Sequence, residues 1–258
     1  MVATPEPPTA VDQARALVQA AERIVVVTGA GISTDSGIPD FRGPNGLWTT
    51  NPGAEKASSL QHYLGDVDVR RASWQARVRA PVWSAEPNAG HRAIVELERD
   101  GRLRALVTQN TDQLHQRAGS DPDLVVEVHG TAWWTRCWTC GDRRPMAEAL
   151  ERVAAGEDDL RCLACGDGIL KSDTISFGQP LVPAVIDRAL RVSAECELLL
   201  AVGSTLAVYP AANCVPIAVR SGARVVIVNG SPTEMDQLAD VVVRGSISDV
   251  LPALVVEP

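Results

Sequence analysis

The stretch IVVVTGAGISTDSGIPDFRG, residues 24–43, decides the fold class. It opens with an apolar run in which neighbouring positions are both apolar, as in a strand buried on both faces of a parallel sheet. Gly29 and Gly31 follow this run. Glycines at such a point let the backbone approach a pyrophosphate, and the N-terminus of a following helix offers free N–H groups to it. A tight turn would have the same glycines, so this pattern alone leaves both interpretations open.

Similar apolar runs recur along the chain, with segments of helical character between several of them. The runs cover residues 103–108, 124–129, 197–203 and 224–229, with a weaker one at 241–243. Helices are predicted from Thr9, with Asp12 completing a capping box, and over residues 88–100, 183–195 and 210–220. Strands that alternate with helices predict an α/β fold with a Rossmann-like, doubly wound parallel sheet. Ligands of such sheets bind beyond the carboxyl ends of the strands.

Two segments interrupt this alternation. Residues 44–87 contain no clear strand, and residues 133–175 carry paired cysteines. We interpret them as insertions that form a smaller lobe, helical in the first segment and metal-binding in the second. The chain, residues 1–258, is then a single domain that is large enough to be a catalytic domain. Its larger lobe comprises residues 9–43, 88–132 and 176–256.

The composition excludes several classes of partner. The 258 residues include 32 acidic and 24 basic side chains, a net charge of −8. Surfaces that bind nucleic acid or anionic lipid usually have a basic excess, so neither partner is expected. No apolar run approaches the roughly 20 residues that span a bilayer, and the first residues do not resemble a secretory signal. These features predict a cytoplasmic protein, in which cysteines serve as metal ligands or core residues rather than in disulfides.

Four of the six cysteines form two CxxC pairs. Cys137 and Cys140 are separated by 21 residues from Cys162 and Cys165. This is the spacing of two knuckles that hold a tetrahedral Zn²⁺, although a redox pair or unliganded core thiols are alternatives. Because all four positions are cysteine, no coordination site is left for water. The pattern therefore predicts a structural zinc ion.

The order of the motifs resembles that of the sirtuins, the NAD-dependent protein deacylases. The resemblance rests on residues 29–43, TQNTDQLHQRAG at 108–119, the pair His129-Gly130, the two CxxC pairs, GSTLAVYP at 203–210 and VNGSPT at 228–233. It covers roughly residues 20–255 and indicates a bacterial-type member. GPNGLWTT at 43–50 and KSDTI at 171–175 are somewhat similar to the branch of nuclear, chromatin-associated sirtuins.

The resemblance implies that NAD is a co-substrate. The acyl oxygen of a modified lysine attacks the anomeric carbon of NAD, nicotinamide leaves, and water completes the transfer to give lysine and O-acyl-ADP-ribose. Asp112 would bind the nicotinamide amide, Asn110 would order a water near the ribose, and Gln109 would contact the ribose hydroxyls. His129 would be the general base. Its position supports this assignment, since His62 falls in an insertion and His91 and His115 fall on helices.

Further contacts are implied in the same way. The remaining cofactor contacts would be Gly29, Ala30, Gly31, Thr34, Asp40, Phe41, Arg42, Trp48, Gly203, Ser204, Thr205, Asn229, Gly230, Ser231 and Ile247. The substrate peptide would contact Ile175, Phe177 and Gly178, the last two by strand pairing. Gln179 stands where the family usually has glutamate, and Thr111 where it has Ile or Val. The alternative for the polar residues at strand ends is that they are ordinary loop residues without a role in binding.

Three functions are consistent with these motifs. The first is a protein-lysine deacylase acting on acylated proteins or peptides. The second is a protein mono-ADP-ribosyltransferase that uses the same cleavage of NAD. The third is a non-catalytic NAD-sensing scaffold, which the intact Asn110, Asp112 and His129 disfavour.

Overall fold

The computed structural model of the chain describes residues 8–41, 43, 46–50, 53 and 58–255. Its centre is a parallel sheet of six strands in the order β3-β2-β1-β7-β8-β9. These strands are β1 Ile24–Thr28, β2 Leu103–Thr108, β3 Val125–Glu127, β7 Leu198–Val202, β8 Arg224–Val228 and β9 Val241–Val243. An antiparallel sheet of three strands, in the order β5-β4-β6, comprises β4 Gly130–Cys137, β5 Arg143–Pro145 and β6 Leu170–Thr174.

Helices cover both faces of the larger sheet. The α-helices are α1 Ala10–Ala20, α2 Leu47–Thr50, α3 Leu60–Gly65, α4 Val67–Val78, α5 Ala89–Arg99, α6 Leu114–Ala118, α7 Met146–Ala154, α8 Pro183–Glu195, α9 Cys214–Arg220 and α10 Ile247–Val255. Short 3₁₀ segments lie at Ala30–Ser36, Pro81–Trp83, Ala211–Asn213 and Asp236–Leu238. None of the helices among the described residues is long and apolar enough to cross a membrane.

The alternation of side chains along each strand divides the core into two layers. Ile24 and Val26 of β1 pack with α1, α5 and α10 on one face of the sheet. Val25 and Val27 pack with α8 and α9 on the other face. Every residue of β1 and of β7 is buried. The prediction of a doubly wound parallel sheet from all-apolar strands is thereby confirmed.

The predicted elements are found close to their expected bounds. The side chain of Thr9 and the carboxylate of Asp12 form the capping box that begins α1, and α8 begins at Pro183. The segment following Gly29 differs from its prediction. It is a single 3₁₀ segment rather than an α-helix, and it ends at Gly37, whose φ of 85° lies in the left-handed region.

The segments predicted to be insertions have their own structure. Residues 60–83 are helical and include the buried Tyr63 and Trp74. The three-stranded sheet and α7 enclose a third apolar cluster around Trp74, Met146 and Leu160. Arg70 of α4 forms a buried ion pair with Asp159, with 2.6 Å between Nε and Oδ1, which joins the two segments. The bounds of the two lobes stay a prediction.

Candidate active site

The carboxyl ends of five neighbouring strands meet along one edge of the parallel sheet. Thr28 of β1 lies opposite Thr108 of β2 and Val202 of β7, which in turn lies opposite Val228 of β8. On the outer side of β2, Thr108 lies opposite Glu127 of β3. The loops that follow these residues carry most of the predicted site. The register of the sheet therefore brings together residues that are up to about two hundred positions apart.

The glycines after β1 pack against the backbone after β7. The N–H of Gly31 donates to the carbonyl of Gly203 at 2.8 Å. A Cβ on Gly29 would lie 2.7 Å from that carbonyl oxygen, and one on Gly31 would lie 2.8 Å from the Cα of Gly203. Gly203 itself has a φ of 64°. Contact between the two loops therefore requires the glycines. The sequence had led us to expect free N–H groups after this strand, but the N–H of Gly31 is bonded to Gly203.

The carboxylate of Asp112 is buried and held by two donors. The hydroxyl of Ser33 donates to its Oδ2 at 2.8 Å, and the N–H of Leu114 donates to its Oδ1 at 2.9 Å. Burial raises the pKa of Asp112, and the hydrogen bonds from Leu114 and Ser33 oppose that rise. A carboxylate has about four acceptor positions, so two remain for a ligand that donates an amide N–H.

Asn110 is oriented by the loop after β1. Its Nδ2 donates to the carbonyl of Gly29 at 3.1 Å and to the hydroxyl of Ser33 at 3.3 Å. Its own N–H donates to the hydroxyl of Thr108 at 3.1 Å. These bonds use the amide nitrogen and leave the side-chain oxygen of this buried residue as an available acceptor.

Two buried histidines lie beneath these residues. His91 Nε2 is 3.5 Å from the Ser33 hydroxyl, and His115 Nε2 is 3.0 Å from the Thr28 hydroxyl. The two rings are 4.9 Å apart between centroids. Burial lowers the pKa of His91 to about 4, and it lowers the pKa of His115 well below its ordinary value. Both rings are therefore neutral at physiological pH, as interior histidines should be.

His129 lies between β3 and β4 with one ring nitrogen fixed. Its Nδ1 is 3.1 Å from the carbonyl oxygen of Gln109. Because a carbonyl only accepts, Nδ1 carries the proton and Nε2 of the neutral ring is an acceptor. Burial lowers the pKa of His129, although the bond to Gln109 opposes this. The ring is thus held in the tautomer and charge state that a general base requires.

The other predicted cofactor residues lie along the same edge. Gln109 Nε2 donates to the Ser204 hydroxyl at 3.0 Å, which joins the loops after β2 and β7. Asn229 follows β8, and its Nδ2 donates to the carbonyl of Ser231 at 2.7 Å. Thr34, Thr205, Gly230 and Ser231 are exposed, and Ala30 is partly buried. Ile247 is buried at the start of α10, and its Cδ1 would lie 2.9 Å from a Cβ added at Gly203.

Three predicted aromatic residues form one cluster. The ring of Trp48 lies 5.0 Å from that of Phe41 and 5.2 Å from that of Phe177. Phe41 and Phe177 are about half exposed, at 46% and 45%. Asp40 closes the loop between them by accepting the N–H of Gly43 at 2.8 Å. Arg42, which was predicted to contact the cofactor, lies outside the described residues.

The segment predicted to bind peptide is joined to His129 and to residues 58–60. The N–H of Ile175 donates to the carbonyl of His129 at 2.8 Å. Phe177 donates its N–H to Ser58 and accepts from the N–H of Leu60, both at 2.9 Å. The backbone N–H and carbonyl of Phe177 are therefore both bonded within the chain. Pairing of Phe177 and Gly178 with a peptide stays a prediction.

The four paired cysteines converge on one point. Their sulfur atoms lie within 4.8 Å of one another, with 3.7 Å between Cys137 and Cys165 and 3.6 Å between Cys140 and Cys162. A tetrahedron with Zn–S bonds of about 2.3 Å has sulfur–sulfur edges of about 3.8 Å. The backbone N–H groups of Thr139, Cys140 and Ala164 lie 3.3–3.4 Å from these sulfurs. The cluster fits a closed tetrahedral metal site.

Several residues of the site were not predicted from the sequence. Ser33 connects Asp112, Asn110 and His91, yet it is one of several hydroxyl residues in its loop. His91 and His115 were predicted to lie on helices, which is confirmed, but their place under the site was not foreseen. The available signal was the occurrence of two histidines on the apolar faces of helices, because such positions need polar partners.

Comparison with known proteins agrees with this geometry. Residues 29–210 match the model of the Sir2 family. The chain is 50% identical over 231 residues to NAD-dependent protein deacetylase 2 of Streptomyces coelicolor, which covers 90% of this chain and 95% of that protein. It is 39% identical to NAD-dependent protein deacetylase 1 of Bradyrhizobium diazoefficiens, with 91% of each chain covered.

Solved structures give the same result. One from work on the mechanism and regulation of Sir2 enzymes has a TM-score of 0.86 and 38% identity, over 95% of this chain and 96% of that one. A Sir2 protein solved with a p53 peptide and NAD⁺ has a TM-score of 0.81 and 32% identity, over 92% and 93% of the two chains. Because the family model matches more than half of this chain, and a relative is 50% identical over 90% of it, the chain belongs to the Sir2 family, the sirtuins.

Proposed function

We propose that this protein is an NAD-dependent protein-lysine deacylase, acting as a deacetylase. The reaction converts acyl-lysine, NAD and water to lysine, nicotinamide and O-acyl-ADP-ribose. One observation carries the proposal. The tautomer of His129 leaves Nε2 as an acceptor at the sheet edge where Asn110 and Asp112 also lie. The names of the relatives, which are NAD-dependent deacetylases and deacylases, support the same reaction.

The roles proposed for the catalytic residues are supported by their hydrogen bonds. Asp112 accepts the amide N–H of the nicotinamide group on the lone pairs that Ser33 and Leu114 leave open. Asn110 uses its side-chain oxygen to hold a water near the ribose. His129 takes a proton from the ribose diol through Nε2, so that the ribose oxygen can attack the acyl carbon. Gln109 contacts the ribose hydroxyls from beside Ser204.

The remaining contacts divide between cofactor and peptide. The phosphates and the adenosine lie along the loops after β1, β7 and β8, which contain Gly29, Ala30, Gly31, Thr34, Gly203, Ser204, Thr205, Asn229, Gly230, Ser231 and Ile247. Asp40, Arg42, Phe41 and Trp48 belong to the segment that covers the reacting carbon. Ile175 accepts the lysine amide N–H on its carbonyl, since its own N–H is bonded to His129. Phe177 lines the acyl-lysine site, and Gly178 pairs with the peptide backbone.

The four-cysteine cluster is proposed to hold a structural Zn²⁺. The metal stabilises the folded state of the smaller lobe, residues 44–87 and 133–175. The larger lobe binds NAD. All four cysteines bind this ion as thiolates, so they must stay reduced and cannot form disulfides. That requirement favours the cytoplasm as the site of action.

A product analysis tests the proposal. The protein is incubated with NAD and an acetylated peptide, and the products are weighed by mass spectrometry. Deacetylated peptide with O-acetyl-ADP-ribose is expected. ADP-ribose added to protein would instead favour the mono-ADP-ribosyltransferase alternative, and bound NAD without turnover would favour the sensing scaffold.

A variant pair assigns the general base. His129→Ala is expected to abolish deacetylation while NAD still binds, because the ring's hydrogen bond is to the backbone carbonyl of Gln109 rather than to a side chain proposed to hold the cofactor. His62→Ala is the matched control, since His62 is exposed on α3. Substantial turnover by His129→Ala would remove His129 from the role of base.

A further inference from the structure

Three successive residues of β4 hold the turn that carries Asp112. The N–H of Ala132 donates to the carbonyl of Thr111 at 2.8 Å. Trp133 Nε1 donates to the carbonyl of Asp112 at 2.8 Å, and Gln113 Nε2 donates to the hydroxyl of Thr131 at 3.1 Å. Each residue of the turn 111–113 is thereby bonded to one residue of 131–133. We call residues 131–133 the β4 clamp.

The turn needs such support. Gln113 has a φ of 59°, in the left-handed region that non-glycine residues rarely adopt. A residue in that region persists only where surrounding contacts hold it there. The β4 clamp supplies those contacts on one side of the turn, and Leu114 N–H, which donates to Asp112 Oδ1, supplies one on the other.

The indole of Trp133 is itself fixed by its neighbours. Its ring meets the edge of Trp83 at 5.3 Å and an interplanar angle of 87°. The guanidinium of Arg117 lies 5.8 Å from the Trp133 ring, and Arg117 also donates to the carbonyl of Ala85 at 2.6 Å. A tryptophan held on two sides presents its N–H in one direction, and here that direction is the Asp112 carbonyl.

We infer that Trp133 is a positioning residue for Asp112. It acts through the backbone carbonyl, so it fixes where the Asp112 carboxylate stands without touching a substrate. Because β4 begins at Gly130, directly after His129, the same strand sets both the proposed general base and the proposed amide-binding carboxylate. The inference rests on the proposed role of Asp112 in binding the nicotinamide amide.

Loss of the indole N–H should affect NAD and nicotinamide but not the peptide. The Asp112 carbonyl would lose its donor, and the β4 clamp would then hold the turn by two bonds instead of three. Among the described residues, the peptide segment bonds to His129, which precedes β4, and makes no backbone hydrogen bond to residues 131–133. A selective effect on one substrate therefore separates positioning from a general loss of folded protein.

The test compares two neighbouring tryptophans. Trp133→Phe keeps an aromatic ring against Trp83 and removes the N–H. Trp134→Phe is the matched control, because Trp134 stacks on Arg143 at 4.2 Å instead of contacting the turn. For Trp133→Phe we expect KM for NAD and the inhibition constant of nicotinamide to rise about threefold to tenfold, the range for losing one hydrogen bond. KM for the acetylated peptide should stay within about twofold, as it should for all constants of the control.

Parallel variants make every outcome decisive. Equal NAD constants for Trp133→Phe and Trp134→Phe, or a parallel rise in both substrates' KM, would overturn the inference. Asp112→Asn tests the role on which it rests. A higher KM for NAD in Asp112→Asn, with no change in Trp133→Phe, refutes positioning alone, whereas no change in Asp112→Asn refutes the role of Asp112. If Trp133→Phe does not fold, Thr131→Val removes the hydroxyl that accepts from Gln113 Nε2 and from the backbone N–H of Trp133. An unchanged KM for NAD in Thr131→Val would also overturn the inference.

Discussion

The buried His91 should make the stability of this protein depend on pH in a calculable way. Its Nδ1 lies 3.3 Å from the backbone nitrogen of Asn88 and 3.1 Å from Asn88 Oδ1 in the capping box of α5, and its Nε2 faces the Ser33 hydroxyl. Burial is the main reason that the pKa of His91 falls from 6.5 to about 4, with a smaller contribution from Arg92.

The sign and size of the effect follow from these two pKa values. Above pH 6.5 the ring is neutral in both states, so the depressed pKa costs nothing. As the pH falls below 6.5, the unfolded chain takes up a proton that the folded chain does not, and unfolding is favoured until about pH 4. Between pH 7 and pH 5 His91 should lower the free energy of unfolding by about 2 kcal/mol. Neighbouring His115 acts in the same direction.

Urea unfolding at pH 7 and pH 5 measures this quantity. His91→Gln is the informative variant, since glutamine can replace the ring in a capping box without titrating. Its loss of stability between the two pH values should be smaller than that of the native protein by about 2 kcal/mol. His62→Gln, at an exposed position, is the control. A difference below about 0.5 kcal/mol between His91→Gln and the native protein would refute the assignment of a neutral, buried His91.

Three further measurements test other parts of the site. Because burial lowers the pKa of His129 below 6.5, the acidic limb of the pH profile of kcat/KM should be centred below pH 6.5, and a limb centred above pH 7 would contradict this. Gly203→Ala should destabilise the protein in urea by about 2 kcal/mol more than Gly222→Ala, because both positions have positive φ but only a Cβ at 203 would clash with Ile32 and Gly31. Equal losses would show that backbone strain alone matters there. If the four-cysteine cluster holds the proposed Zn²⁺, a chelator should lower the melting temperature, and an unchanged value after verified metal loss would exclude a structural metal.

The strands of the large sheet could be predicted because their patterns are local. Each all-apolar run marks a strand, and each strand end marks a position at the sheet edge, where the loops with Asn110, Asp112 and Gly203 begin. The roles proposed for these three residues came from the resemblance to the sirtuins. The CxxC spacing was equally local. The 3₁₀ segment after β1 was not predicted, since the bond between Gly31 and Gly203 that accompanies it joins residues far apart in the chain.

The partners of the site residues could not be read from the sequence for a related reason. Ser33 matters because Asp112 and Asn110 approach it, and Trp133 matters because its indole reaches the Asp112 carbonyl. Neither residue has a neighbour in sequence that indicates such a contact. Long-range polar contacts depend on the final packing of elements, whereas strand and knuckle patterns depend on residues a few positions apart.

The polar network beneath the sheet edge links these observations. Thr28, Thr108 and His115 lie inside the fold, where unpaired polar groups are costly, and His115 Nδ1 has no hydrogen-bond partner among the described residues. An apolar set of side chains would pack there with greater stability but could not hold Asn110, whose N–H bonds to the Thr108 hydroxyl. The arrangement of the site therefore reduces stability at low pH, through His91 and His115, while it fixes the orientation of Asn110 and Asp112. The pH dependence of unfolding and the positions of the proposed catalytic groups are two consequences of the same buried network.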